Sequence, residues 1–429
     1  MNRGATFEPQ STKIAHADSI ENDILLVLPV PVRLINGTLH IESQAANGLD
    51  RWADNFNQVV AACPLLPEHE VGRRSSWSWS ACAEIANADR VRMVPLPWAY
   101  SPTDFLKSLG SVRAQLRHEI AGCRFLQFAV GGLFGDWASV AALEASHMNR
   151  PFSVWTDRVE SDVVRISAEE KAGLKKPLTL LYADLMRRYE RYVIKHAHVG
   201  LFHGAETFHA YNQLTQQAFT THDVHTKKAD LISSSELDEK LASVHNTSKQ
   251  LKIGYAGRAT SMKAPLDWLG VLARLVEKGV PFEAAWLGDG ELIERMKQFV
   301  DEHGLKKHVV LKGFVSNRAE VLAFLRSCDL LLFTHITPES PRIILEAMIS
   351  GTPVVGYTSS YVEEIIPPSD HDLLCKIGDV KQLAETAASL AVDRTKLVAA
   401  MRRAREVGMS INDDAVFKHR SDLIKQYLA

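Results

Sequence analysis

The sequence has no long apolar run. Nothing in its 429 residues approaches the roughly eighteen consecutive apolar residues of a membrane-spanning helix. It has no surplus of either charge. Its 49 Lys and Arg stand against 51 Asp and Glu, so the excess of positive charge that marks a nucleic-acid-binding protein is missing. Cysteine is scarce and scattered: Cys63, Cys82, Cys123, Cys328 and Cys375 form no Cys-x-x-Cys pair. An odd, dispersed set argues against a disulfide scaffold and for reduced thiols in a cytoplasm. No Gly-x-Ser-x-Gly elbow marks a serine hydrolase. Three groups have chelating spacing (His196 with His198, His222 with His225, and Asp370-His371-Asp372), but none gains a third and fourth ligand at a suitable distance. No metal is therefore expected. The stretch from Met1 to Asp23 lacks an apolar signal core and reads as a loose polar tail.

What is present is the composition of an ordinary globular protein, 46% apolar and 23% charged, in a chain long enough for two domains with separate cores. From Asp23 onward short apolar runs alternate with helical patterns. DILLVLPVPV reads as the first strand, with Gly37 in the loop that follows it, and Leu49, Trp52, Ala53 and Phe56 mark one face of a first helix. QVVAAC, RVRMVPL, RFLQFAV, FSVW, VGLFH and the DVH at Asp223 are further strand candidates, with helices over 104–118 and 178–196. The polar, Ser-rich stretch 233–249 reads as a boundary. The alternation then restarts with LKIGYAG, FEAAWLG and HVVLKGF. Strand–helix alternation of this kind predicts parallel sheets covered on both sides. The expectation is an α/β protein of two Rossmann-like domains, 1–245 and 246–429, with the amphipathic segment 413–428 free to dock on either.

The stretch from Cys328 to Tyr357, CDLLLFTHITPESPRIILEAMISGTPVVGY, is the most informative. Leu330 to Phe333 predicts a buried strand. Ser340 predicts a helix cap with Pro341 at the first helical position, and Gly351 a left-handed stop before a second strand. A helix that starts at the carboxyl edge of a parallel sheet presents free N–H groups and partial positive charge to phosphate. Glu339 and Glu346 bracket its first turns, where carboxylates suit the paired hydroxyls of a sugar or ribose. The plain alternative is a helix-starting glutamate and a solvated one. At the same sheet edge, GYAGRATSMKAPLDWL places Arg258 and Lys263 in one strand-to-helix loop, and two cations there suit a diphosphate. WLGDGEL adds Gly288, Asp289 and Gly290 at a third strand end, a pattern that is also an ordinary turn. The basic helix face of Arg187, Arg188, Arg191 and Lys195 suits an anionic membrane surface or, more commonly, solvent.

Taken in order, Gly-Arg-x4-Lys, Gly-Asp-Gly, Gly-Phe-Val and Glu…Glu-Ala-Met…Ser-Gly-Thr-Pro-Val-Val resemble the retaining, GT-B-fold glycosyltransferases that include sucrose synthases and bacterial mannosyltransferases. The resemblance covers about 251–356. It implies two domains facing each other across a cleft and a metal-independent hexosyltransferase using a nucleoside diphosphate sugar as co-substrate, with no other cofactor. It also implies that Arg258 and Lys263 grip the diphosphate and Glu346 the ribose. Glu339 would hold the donor sugar, and Ser340 and the backbone at Arg342 and Ile343 would complete the phosphate site. Gly37 would admit the phosphate from the first domain, Gly288 and Asp289 would flank the crevice, and Phe314 and Val315 would lie near the base.

Three departures stand out. The glutamates are one residue closer than is usual, Ser340-Pro341-Arg342 replaces the common Phe-Gly, and FAVGGLF occupies the place of a first-domain histidine. Asp157 substitutes as the polar group facing the acceptor. The expected acceptor is a carbohydrate, a lipid-linked glycan or a small molecule, in polysaccharide or glycoconjugate synthesis. The expected location is the cytoplasm, with peripheral contact to the inner membrane face left open. A sugar phosphorylase, an epimerase and a non-catalytic sugar-nucleotide-binding subunit are the alternatives.

Overall fold

The computed structural model describes residues 22–71, 78–168, 173, 175–222, 224, 226–246, 249–337 and 341–429. In chain order the strands are β1 (Asp23–Val27), β2 (Val32–Ile35), β3 (Thr38–Glu42), β4 (Gln58–Pro64), β5 (Trp79–Ala81), β6 (Val91–Leu96), β7 (Phe125–Ala129), β8 (Ser153–Thr156), β9 (Val199–His203) and β10 (Gln217–Thr221). The second half contributes β11 (Leu251–Ala256), β12 (Phe282–Leu287), β13 (Val309–Gly313), β14 (Leu330–Phe333), β15 (Val354–Tyr357) and β16 (Leu374–Cys375). The apolar runs at β1, β14 and β15 are buried along their whole length, as strands covered on both faces must be.

Two parallel sheets result. The first has the order β10-β9-β8-β7-β1-β4-β6 and the second β13-β12-β11-β14-β15-β16. Each runs outward from its first strand, then restarts on that strand's other side. Each therefore has a switch point, between β1 and β7 and between β11 and β14, where the loops leaving neighbouring strands diverge and open a crevice. These are two Rossmann-like halves, as expected from the sequence. The alternation along β7 shows how faces are assigned. Leu126 and Phe128 join the core on one side of the first sheet, and Phe125 joins the core on the other.

Three local readings need correction. Gly37 is not in a simple strand-to-helix loop. Asn36 (φ +51°) and Gly37 (φ +79°) are the two central residues of a hairpin joining β2 to β3, and Asn-Gly favours this turn because both positions need left-handed backbone. Its surroundings are open, so the turn accounts for the glycine without a ligand. The stretch 233–249 is not a break in the pattern. Ser233 and Glu236 form a reciprocal cap on a helix, Ser234–His245, whose Leu237, Leu241 and Val244 pack into the second core. The strand expected at DVH is β10, a few residues earlier. Asp223 and His225 themselves lie outside the described residues.

The terminal helix, Asp413–Leu428, packs back on the first half. Phe417 meets Trp52 edge to face, with centroids 5.4 Å apart, and Arg51 pairs with Asp414. Where the chain passes between the halves its two segments bond to each other. The Asp413 N–H donates to the Thr226 carbonyl (2.9 Å), and the Thr226 hydroxyl donates to the Ile411 carbonyl (3.3 Å).

Candidate active site

The second sheet's switch point is built from the loops after β11 and β14. The loop after β11 carries Arg258, exposed, and Lys263, half-buried, in one turn that ends at Ala264 in left-handed backbone (φ +42°). Such a conformation costs a non-glycine residue about 1–3 kcal/mol and persists only where neighbours hold it. Here they do. The Thr334 hydroxyl reaches the carbonyls of Lys263 (2.9 Å) and Ala264 (3.2 Å), and the Ile336 N–H donates to the Met262 carbonyl (3.0 Å). Pro265 then opens the Pro265–Glu277 helix with its φ already set.

The strand end Trp286–Leu292 braces the same loop from the other side. Gly257 and Ala259 N–H groups donate to the Leu287 (2.8 Å) and Asp289 (3.0 Å) carbonyls, and the Trp286 indole N–H donates to the Gly257 carbonyl (3.1 Å). A Cβ at Gly288 would lie 1.9 Å from the Gly257 oxygen, and one at Gly290 2.6 Å from that of Ala259. These glycines are therefore required for the approach of backbone to backbone that seats the Arg258 loop. Asp289 is exposed and turns its carboxylate onto the Gly290 N–H (2.8 Å).

Beneath Lys263 lies His335, 4% exposed, a residue that sequence reasoning missed. Lys263 Nζ is 3.3 Å from its Nδ1, and the Tyr255 hydroxyl is 2.5 Å from its Nε2. An ammonium only donates, so Nδ1 accepts and the ring proton sits on Nε2, facing Tyr255. Tyr255 is fixed in turn by stacking on Trp286 with centroids 4.0 Å apart. The signal available in the sequence was the single polar His between a buried strand and the helix it feeds.

The helix after β14 is Arg342–Ile349. Pro341 is its N-cap in extended backbone, not its first helical residue, and supplies no side-chain cap. Glu339 and Ser340 lie outside the described residues. Arg342 is exposed and Ile343 buried. Glu346, half-buried, accepts from Arg318 Nη1 at 2.7 Å, and Arg318 also contacts Asp230 at 3.1 Å. Its charge is therefore balanced inside the protein, by a partner that sequence reasoning treated only as the start of a helix. Phe314 stands 75% exposed at the carboxyl end of β13, with Val315 half-buried beside it.

On the first sheet, Asp157 is exposed just beyond β8. The glycine loop after β7 is organised by a different acid, Asp136, which accepts from the N–H groups of Gly131 (3.1 Å) and Ser139 (3.0 Å). Burial pushes its carboxyl up from the usual range. The Asp370-His371-Asp372 trio is engaged elsewhere: Asp370 takes a two-pronged contact from Arg403, His371 contacts backbone carbonyls, and Asp372 pairs with Lys396. Among the described residues no helix is long and apolar enough to cross a membrane.

Comparison with known proteins gives this geometry a context. Residues 238–407 match the family described as glycosyl transferases group 1. A 2-deoxystreptamine glucosyltransferase of Streptomyces kanamyceticus is 30% identical over 154 residues, 36% of this chain and 40% of that protein. A putative colanic acid biosynthesis glycosyltransferase of Escherichia coli K12 is 27% identical over 183 residues, 41% of this chain and 45% of that one. The chain thus matches less than half the length of these relatives. Across 94% of this chain, the fold superposes on Anabaena HepE in complex with UDP (TM-score 0.60, 14% identity, all of that chain). It superposes equally widely on the sucrose-phosphate synthase of Thermosynechococcus elongatus (TM-score 0.59, 13% identity, 98% of that chain).

Proposed function

We propose, from the premise that residues 238–407 form a group 1 glycosyl transferase domain within a GT-B fold, that this protein transfers a hexosyl unit from a nucleoside diphosphate sugar to a hydroxyl acceptor in glycoconjugate synthesis. The observation that carries the reading is the braced loop with Arg258 and Lys263, joined by hydrogen bonds to the loop that precedes the Arg342–Ile349 helix at the switch point.

The chemical difficulty is charge. As the bond from the anomeric carbon to the phosphate oxygen breaks, its electron pair leaves on the diphosphate and the sugar becomes oxocarbenium-like. Arg258 forks onto phosphate oxygens, and Lys263 supplies a compact charge whose position is set by His335. Lys263 is held against His335 before the charge develops, so its contribution needs no reorganisation as that charge grows. The acceptor hydroxyl attacks the face the diphosphate leaves, its proton passes to the departing phosphate, and the anomeric configuration is retained. Fixed cations do the work a metal ion would otherwise do. Glu346, oriented by Arg318, accepts from the ribose hydroxyls, and the exposed Phe314 offers a face to the base. The relative named for glucosyl transfer and the structure named for UDP support a uridine nucleotide and a gluco-configured sugar as the first donors to test.

The test is donor turnover with a panel of nucleotide sugars, followed by mass spectrometry, for wild type, Arg258→Ala and Lys263→Ala. Removing one preorganised donor at a developing anion typically costs about 100- to 1,000-fold. Rates near wild type in both variants would refute the mechanism.

A further inference from the structure

The first sheet has a switch point too, and it holds a cavity of about 230 Å³ that the proposed donor chemistry does not use. The cavity lies at the carboxyl ends of β1 and β7, between the sheet, the Ser43–Ala53 helix and the terminal helix. Its walls are aromatic: Trp52 from the first helix, Trp155 from β8 and Phe417 from the terminal helix. Arg420 completes the ring, 6% exposed, its guanidinium 5.1–5.2 Å from all three aromatic centroids.

Two polar groups in this wall lack partners among the described residues. Gln127 sits on the face of β7 that otherwise carries Phe125 and Ala129, and it is 1% exposed. One end of its amide meets the Ser153 hydroxyl at 2.8 Å, and the other has no hydrogen-bond partner. The Ser153 hydroxyl also lies 3.0 Å from the Leu126 carbonyl and has a single hydrogen to give. If it donates to Leu126, the amide turns its N–H to Ser153 and its oxygen is left unpaired; otherwise the N–H₂ is left unpaired. Either way one polar end is left over. The second group is the Trp155 indole N–H, buried and likewise without a partner. A buried polar group without a partner costs about 1–3 kcal/mol, and two lining one cavity call for an explanation.

Size and charge select the ligand. A cavity of 150 Å³ holds benzene, so this one takes a molecule of roughly nine to twelve non-hydrogen atoms. Glu42 lines the cavity at the start of the first helix, where its carboxylate accepts from the Gln44 (2.9 Å) and Ala45 (3.1 Å) N–H groups. A carboxylate on one wall and a guanidinium on another favour a neutral ligand over an anion. Flat aromatic faces combined with an amide and an indole N–H suit a ring with an apolar face and hydroxyls around its edge.

The geometry points to a binding site for a single uncharged sugar ring in this cavity, stacked against Trp155 or Trp52 and hydrogen-bonded by Gln127 and the Trp155 N–H. The inference stands on the first sheet and the terminal helix packed against it, and is independent of the Arg258 crevice.

The experiment is calorimetric titration of the full chain with glucose, galactose, mannose and N-acetylglucosamine, with benzoate as an anion of similar size. Uridine diphosphate is titrated separately into the same samples. At least one sugar binds wild type and benzoate does not. Trp155→Phe, which keeps the ring and removes the N–H, weakens that sugar about threefold to tenfold. Gln127→Met, close in shape, weakens it at least as much. Nucleotide binding is unchanged in both variants, which separates this site from the donor crevice. A bound sugar that is glycosylated when donor is added identifies the cavity as the acceptor's seat, and one recovered unchanged identifies a separate ligand site; both support the assignment. No sugar binding in folded wild type, benzoate binding in its place, or sugar affinity untouched by both substitutions overturns it.

Discussion

Replacing Gly288 by Ala is the sharpest perturbation of the donor crevice, because the structure gives its size. The new methyl would lie 1.9 Å from the Gly257 oxygen and 2.7 Å from the Gly257 carbonyl carbon, and the backbone φ of +144° is one that L side chains rarely adopt. The backbone term is about 1–3 kcal/mol, and forcing extra atoms into a packed site adds about 1–3 kcal/mol. Gly37→Ala is the matched control. It also has positive φ, +79°, but has nothing within 4 Å of the added carbon, so it carries the backbone term alone. The difference between the two variants contains the collision together with whatever φ +144° costs beyond φ +79°. At about 2–4 °C per kcal/mol for a domain of this size, Gly288→Ala melts about 2–12 °C below Gly37→Ala. Relief of the collision moves Gly257, and with it the neighbouring Arg258. A shift of about 1 Å at a catalytic group costs about 100-fold, so turnover falls steeply while Gly37→Ala stays near wild type. Differential scanning calorimetry and donor turnover on both proteins decide it. Equal melting temperatures with equal activity would show that the Gly257–Gly288 contact does not seat the loop.

Further outcomes are expected elsewhere. His335→Ala removes the group that Lys263 Nζ meets at 3.3 Å and lowers donor turnover about tenfold, while Tyr255→Phe, which keeps His335 and the stacking on Trp286, has a smaller effect in the same assay. Arg318→Ala leaves Glu346 and Asp230 without their shared cation. It lowers the urea midpoint by the equivalent of about 1–2 kcal/mol and weakens nucleoside diphosphate binding. Burial pushes Glu190 up to about 7, against the hydrogen bonds from Ser161 (2.8 Å) and Tyr211 (3.1 Å) that favour its anion. Between about pH 4.5 and 7 the native state then holds a proton that the unfolded chain has released, so stability falls as pH rises through that window. Glu190→Gln flattens this slope in urea titrations and stabilises the protein at pH 8 but not at pH 4. Treatment with EDTA leaves transfer rates unchanged, since Arg258 and Lys263 supply the positive charge at the diphosphate; activity lost on chelation and restored by a divalent cation would refute that.

The second half was easier to read from sequence than the first. β14 and β15 are short runs buried along their whole length, β11, β12 and β13 each end at or beside a glycine, and the order of its motifs is itself informative. The errors arose where local chemistry was overridden by an expectation of the whole. Asn36-Gly37 is a strong hairpin signal that was treated as loop, and Ser233 with Glu236 is a capping box within a stretch that looked too polar to fold. The pairing of Arg318 with Glu346, and the placement of His335 under Lys263, join residues 28 and 72 positions apart. No periodicity reports contacts of that kind. Gln127 was likewise hidden inside RFLQFAV, where a single polar residue does not disturb an apolar run.

The terminal helix has a consequence for how the chain is made. Phe417, Leu423, Ile424 and Leu428 complete the apolar layer over Leu26, Leu49 and Trp52, and Asn47 bonds Asp413 across a separation of 366 positions. During synthesis the first half must therefore wait, with one side of its sheet only partly covered, from the end of β10 at Thr221 until the terminal helix begins at Asp413, 192 positions later. The second half builds its core from residue 224 onward and takes only Val416 from the terminal helix. Although it emerges later, it is free to fold first, and the order of translation and the order of completion are reversed.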